Sequence, residues 1–119
     1  MRRTVPQVPA LEVSEQEPRP GVVRMTLAGE LDLASAYAFD RTLLAVEARK
    51  PELICVDLRE VTMLDSAGLA RLVSAQRRAR RGGWRLVFVR GGRTVMRVLQ
   101  TTRIDEMLEL TSDPEQLLN

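Results

Sequence analysis

Val56-Asp57-Leu58-Arg59-Glu60-Val61-Thr62-Met63-Leu64-Asp65-Ser66-Ala67-Gly68-Leu69 decides how the rest of this 119-residue chain is read. It opens on the end of an apolar run, Leu53-Ile54-Cys55-Val56, short and β-branched enough to be a strand buried on both faces. After a polar patch comes Asp65-Ser66, and from there helical spacing takes over. Leu69, Leu72, Val73 and Gln76 mark one face, and Arg71, Ser74, Arg77, Arg78 and Arg81 the other. The pattern predicts a buried strand that feeds a helix N-terminus. A serine in that place has two available roles. It caps the helix by satisfying an orphan backbone N–H, or it offers a hydroxyl whose phosphate would carry about −1.5 to −2 charges.

Upstream, Ala10 to Glu15 alternates as a half-buried strand does, Glu17-Pro18-Arg19-Pro20-Gly21 signals a turn, and Val22 to Ala28 reads as the second arm of a hairpin. From Leu33 to about Arg49 the chain is helical, with Ala36, Phe39, Leu43 and Val46 on one side and Asp32 at the N-cap position, and Pro51 closes it. Downstream, Gly82-Gly83 stops the helix that follows Ser66. Trp84 to Val89 is another apolar strand, and a helix begins near Thr94. Ile104 to Leu108 has helical or turn character, Leu110 begins a short edge strand, and Asp113 caps a short terminal helix. Strands that alternate with amphipathic helices pair in parallel through right-handed crossovers. The expectation is a single small α/β domain over residues 10–119, with a mixed, mostly parallel sheet of four to five strands and helices packed against it. Residues 1–9, with Pro6 and Pro9, are expected to be an extended or flexible lead-in.

Composition narrows the chemistry. The net charge is only +2, which gives no support to direct nucleic-acid binding. No stretch approaches the roughly 18 apolar residues of a membrane span, and no apolar segment follows Met1-Arg2-Arg3 as a signal peptide requires, so a cytoplasmic protein without a membrane partner is expected. Cys55 is the only cysteine and reads as a small buried hydrophobe. There is no histidine, which removes the usual general base of serine hydrolases and the commonest metal ligand. Lys50, the one lysine, has no motif around it to activate Ser66. The glycines match neither a Walker A loop nor a dinucleotide fingerprint, and Arg77-Arg78-Ala79-Arg80-Arg81 reads as a solvated helix end. Neither catalytic nor metal-binding residues nor a cofactor are expected. A hydrolase with Ser66 as its nucleophile is not expected.

The order Gly29-Glu30-Leu31-Asp32, Val56-Asp57-Leu58, Met63-Leu64-Asp65-Ser66-Ala67-Gly68-Leu69 and Gly82-Gly83 before an apolar strand resembles the STAS domain of bacterial anti-sigma factor antagonists, over roughly residues 10 to 112. The resemblance implies a small binding module, not an enzyme, whose unphosphorylated form binds an anti-sigma factor serine kinase and so releases a sigma factor. It implies that the kinase uses ATP to phosphorylate the serine after the motif aspartate, which by position is Ser66, and that a phosphatase of the PP2C type reverses the change. Asp32 and Asp65 fall on the family's acidic positions beside the acceptor, and Ser66, Gly68 and Leu69 open the helix on its partner-facing surface. A monomer or weak dimer is expected. Three departures stand out: Ala67 replaces a second hydroxyl residue, Met63-Leu64 replaces an aromatic position, and Gln100-Thr101-Thr102 replaces a glycine-containing turn. The alternative is a STAS subunit that is never phosphorylated and acts as an interaction module in a larger assembly.

Overall fold

Two strands, β1 (Leu11–Arg19) and β2 (Val22–Leu31), begin the computed structural model, which describes residues 10–119. The expected lead-in, residues 1–9, lies outside the described residues. Helix α1 (Leu33–Glu47), strand β3 (Leu53–Leu64), helix α2 (Ser66–Gly82), strand β4 (Arg85–Val89) and helix α3 (Arg93–Thr101) follow. A 3-10 turn (Ile104–Glu106), a two-residue strand β5 (Leu110–Thr111) and a short helix α4 (Pro114–Leu118) complete the order. The five strands form one sheet in the order β1-β2-β3-β4-β5. The β1–β2 pair is antiparallel and the other three are parallel, so the expected mixed, mostly parallel sheet is what the chain builds.

Alternation along the inner strands sorts side chains between two faces. Val23, Met25 and Leu27 of β2, Ile54, Val56 and Leu58 of β3, and Leu86 and Phe88 of β4 meet the apolar sides of α1, α2 and α3 in the main core. The opposite face carries a smaller cluster, Val22, Leu53, Cys55, Val87 and Val89, covered by Leu118 of α4. Cys55 is fully buried there, and burial pushes its thiol pKa up to about 11. Farther along the same face, Asp57 replaces the apolar sequence with a carboxylate, which Arg24 of β2 and Arg59 grip at 2.9 and 2.7 Å.

The sequence pattern and the structure part company in places that have physical reasons. β1 continues past Glu15 to Arg19, and the turn narrows to Pro20-Gly21. Glu17 and Pro18 sit in a register irregularity of this edge strand, where a residue without an N–H costs no ladder bond. β3 runs six residues beyond Leu58 because β2 pairs with it to the end, Gly29 with Val61 and Leu31 with Leu64. Its polar residues Arg59, Glu60 and Thr62 remain exposed, while Val61 and Leu64 are buried. Arg78, expected on a solvated face, is instead half-buried: its guanidinium reaches Glu47 at 2.9 Å and Asp40 at 3.2 Å, and so ties α2 to α1. At the end of α3 the left-handed position that a glycine would take belongs to Arg103, at φ 62°. The Thr102 hydroxyl donates to the Val98 carbonyl oxygen at 2.7 Å and closes the last turn.

Candidate functional site

β2 and β3 run side by side to Leu31 and Leu64, and the Asp65 N–H donates to the Leu31 carbonyl oxygen at 3.3 Å. The residue after each strand therefore starts a helix beside its neighbour's start: Asp32 is the N-cap of α1 and Asp65 the N-cap of α2. Two helix N-termini with unpaired backbone donors meet at one corner of the sheet.

Asp32 sits in a capping box. Its Oδ1 accepts from the Ser35 N–H at 3.1 Å, and the Asp32 N–H donates to Ser35 Oγ at 3.0 Å. The Ser35 hydroxyl in turn donates to the Glu30 carbonyl oxygen at 2.6 Å, which fixes the exit of β2. Asp65 does more. Its Oδ1 accepts from the Gly68 N–H at 3.0 Å, the ordinary cap of its own helix, while its Oδ2 accepts from the Leu33 N–H of α1 at 3.1 Å. One carboxylate thus caps two helices. The charge lies at the positive end of both macrodipoles, where an anion is stabilised.

Ser66 is the first residue of α2, not its cap. Its side chain is exposed, and among the described residues its hydroxyl makes no hydrogen bond. Because Asp65 performs the capping, the Ser66 Oγ is uncommitted. Gly68 and Leu69, expected on a contact surface, turn inward. Leu69 is in the main core, and Gly68 is buried against the end of β2. A Cβ at Gly68 would lie 2.4 Å from the Leu31 carbonyl oxygen and 2.8 Å from Leu64 Cδ1, so the missing side chain is what lets the first turn of α2 approach β2. These two buried residues position the helix against the sheet.

The exposed neighbours are different. Leu33 is 79% exposed and Tyr37, one turn on, 68%, with the Arg41 guanidinium 5.9 Å from the Tyr37 ring centroid. Both lie off the Ala36, Phe39, Leu43 and Val46 face that packs on the sheet. A helical wheel of α1 would have placed two large apolar side chains in solvent beside the Asp32 and Asp65 corner. Among the described residues no cluster of three or more Asp, Glu, Cys or His side chains has a geometry for a metal ion, and no helix is long and apolar enough to cross a membrane.

A five-stranded mixed α/β sheet with two helix N-termini side by side at the ends of adjacent parallel strands defines the architecture. The family model described as "Mlab, STAS domain" matches residues 15–110, and the chain belongs to the STAS domain family. Solved structures share the fold. An anti-sigma factor antagonist from Mycobacterium paratuberculosis superposes with a TM-score of 0.80 at 24% identity, covering 91% of each chain. An anti-sigma factor antagonist described as putative, from Thermotoga maritima, gives 0.77 at 19% identity over 89% of this chain and 91% of that one. The phosphorylated form of the Bacillus cell fate determinant SpoIIAA gives 0.68 at 15% identity over 89% and 96%. A comparison with curated protein sequences returns no match.

Proposed function

We propose that this chain is an anti-sigma factor antagonist: unphosphorylated, it binds an anti-sigma factor serine kinase and releases a sigma factor, and phosphorylation of Ser66 by that kinase ends the binding. The observation that carries the reading is the free hydroxyl of Ser66, exposed at the first position of α2 because Asp65 already caps the helix. Support comes from the related folds, whose names are those of anti-sigma factor antagonists and one of which is a phosphorylated form.

A phosphate on Ser66 would find the Ser66 and Ala67 N–H groups at the helix N-terminus, which favours anions, so the fold tolerates it. The same phosphate adds about −1.5 to −2 charges beside Asp65 and Asp32. Like charge on a partner surface is then repelled, and an apolar contact at Leu33 is desolvated less readily. Binding is lost while folding is kept. ATP belongs to the kinase, and a PP2C-type phosphatase resets the hydroxyl.

Incubation with the histidine-kinase-like serine kinase encoded nearest to this chain's gene, with ATP, is expected to add one phosphate, located at Ser66 by fragmentation mass spectrometry. Ser66→Ala is expected to bind the kinase as the unmodified protein does and to remain unmodified, and Ser66→Asp to bind weakly. Equal kinase affinity for unmodified and fully phosphorylated protein overturns the switch. Binding without any phosphate transfer would leave a STAS module that acts by association alone.

A further inference from the structure

The α2 face that presents Ser66 does not end there. Ala70, Val73, Ser74, Arg77 and Arg81 follow Ser66 at intervals of three and four, so they form one stripe down the helix. Across from the stripe stand Thr102, Ile104 and Met107 from the end of α3 and the 3-10 turn, and between the two walls lies an open groove of about 590 Å³. The apolar part of its lining is Ala70, Val73, Ile104 and Met107, and Met107 is 43% exposed.

The arginines on α2 divide by face. Arg71 and Arg78 turn to α1 and pair with Asp40 and Glu47. Arg77 and Arg81 turn to the groove, and among the described residues neither forms an ion pair, although Asp105 and Glu106 belong to the neighbouring turn. Two unpaired guanidinium groups over an apolar trough have the complement of an acidic amphipathic segment. Carboxylates on such a segment would meet Arg77 and Arg81, and its apolar side chains would cover Val73, Ile104 and Met107. Arg favours this use because its planar fork recognises carboxylates in two-pronged fashion.

We propose that the groove between α2 and α3 docks an acidic amphipathic helix of the partner kinase, in line with Ser66 but separate from it. The inference rests on the kinase-binding reading above. Arg77 lies eleven residues beyond Ser66, about 16 Å along the helix axis, so the groove adds affinity and register without touching the reacting hydroxyl.

The test compares the wild type with Arg77→Glu/Arg81→Glu and with the milder Arg77→Gln/Arg81→Gln, using the same kinase and ATP. A charge-reversal control, Arg19→Glu, alters an exposed residue of β1, the edge strand farthest from β4 and β5. The charge reversal is expected to weaken kinase binding about tenfold or more, the glutamine pair by less, and the control by less than about twofold. Wild-type affinity should fall with added salt, and that of the reversed variant should be nearly flat. In Ser66 phosphorylation the loss is expected in KM with kcat kept, and charge reversal of an acidic helix on the kinase is expected to restore binding. Wild-type behaviour of both arginine variants, with kinase binding and phosphorylation intact, overturns the groove and leaves the switch standing. Failure of the wild type itself to bind or accept phosphate overturns the switch, and the groove proposal with it.

Discussion

Asp65→Ala removes an acceptor from two helices at once, and the size of the effect follows from the two bonds. The Gly68 N–H loses its cap, worth about 1 kcal/mol. The Leu33 N–H loses its partner at the start of α1, an exposed charge-assisted bond that we set at roughly 1 kcal/mol. Removal of the negative charge from two N-termini adds about 0.3–1 kcal/mol. The total is about 2–3 kcal/mol, a fall in Tm of about 6–15 °C for a domain of this length. Equilibrium urea unfolding of the unphosphorylated protein measures it as a lower midpoint with an unchanged slope. Asp65→Asn keeps one carbonyl oxygen and so one of the two bonds, and is expected to lose about half as much. Asp32→Ala opens one cap and is expected to cost about 1 kcal/mol. Ser66→Ala breaks no hydrogen bond and is expected to stay within about 0.5 kcal/mol of the wild type. The order Asp65→Ala, Asp32→Ala, Ser66→Ala is thus the signature of a shared cap. Equal losses for Asp65→Ala and Asp32→Ala, or a loss for Ser66→Ala as large as for Asp65→Ala, would refute the division of labour at this corner.

Two further perturbations test the framework that carries the corner. Burial of Asp57, whose side chain is 3% exposed, opposes ionisation, but hydrogen bonds from Arg59 and Arg24 outweigh it and hold the carboxyl below the usual aspartate range. A lowered folded-state pKa means that this stability is complete above about pH 4 and is lost as pH falls through the folded value. Asp57→Asn is therefore expected to cost about 1–3 kcal/mol near neutrality, measured in urea, and to flatten the acid limb of the stability profile; an unchanged acid limb rejects the assignment. Gly68→Ala forces a methyl group toward the Leu31 carbonyl oxygen and is expected to cost about 1–3 kcal/mol, whereas Gly92→Ala, with open space around its Cβ, is expected to cost less than about 1 kcal/mol. Similar midpoints for the two alanine variants would show that α2 does not depend on the close approach.

The parts of this molecule that were legible before folding are those whose cause is local. Asp32 and Asp65 each precede a periodic segment, and each caps a helix. Gly82 is the last residue of α2, and Gly83 takes the left-handed φ of 85° that ends it. The extension of β3 through Arg59–Leu64 was not legible, because those residues belong to the strand through pairing with β2, not through their own pattern. The same holds for Gly68, whose need for a bare Cα is set by Leu31, and for Arg78, whose acidic partners lie a helix away. At the site, the order of Asp65 and Ser66 along the chain left cap and acceptor interchangeable. Only the approach of Leu33, 32 residues earlier in the chain, gives the carboxylate its second bond.

That second bond also bears on how a phosphate at Ser66 would act. Both Asp65 oxygens are held by backbone donors, so the carboxylate cannot swing away from a new negative charge without uncapping α1 or α2. Ser66 leads α2 outside that pair of bonds, and its side chain can rotate into solvent. Repulsion would therefore be relieved at the surface, where a phosphate could move, and not in the core, where Leu69 and Gly68 hold the helix against the sheet. A switch built this way changes what the surface repels while the fold beneath it stays the same. On the proposed reading a partner would feel the change at the Leu33, Asp65 and Ser66 corner. Phosphorylation would end kinase binding there, whereas a groove variant would weaken binding of the unphosphorylated form and leave the switch in place.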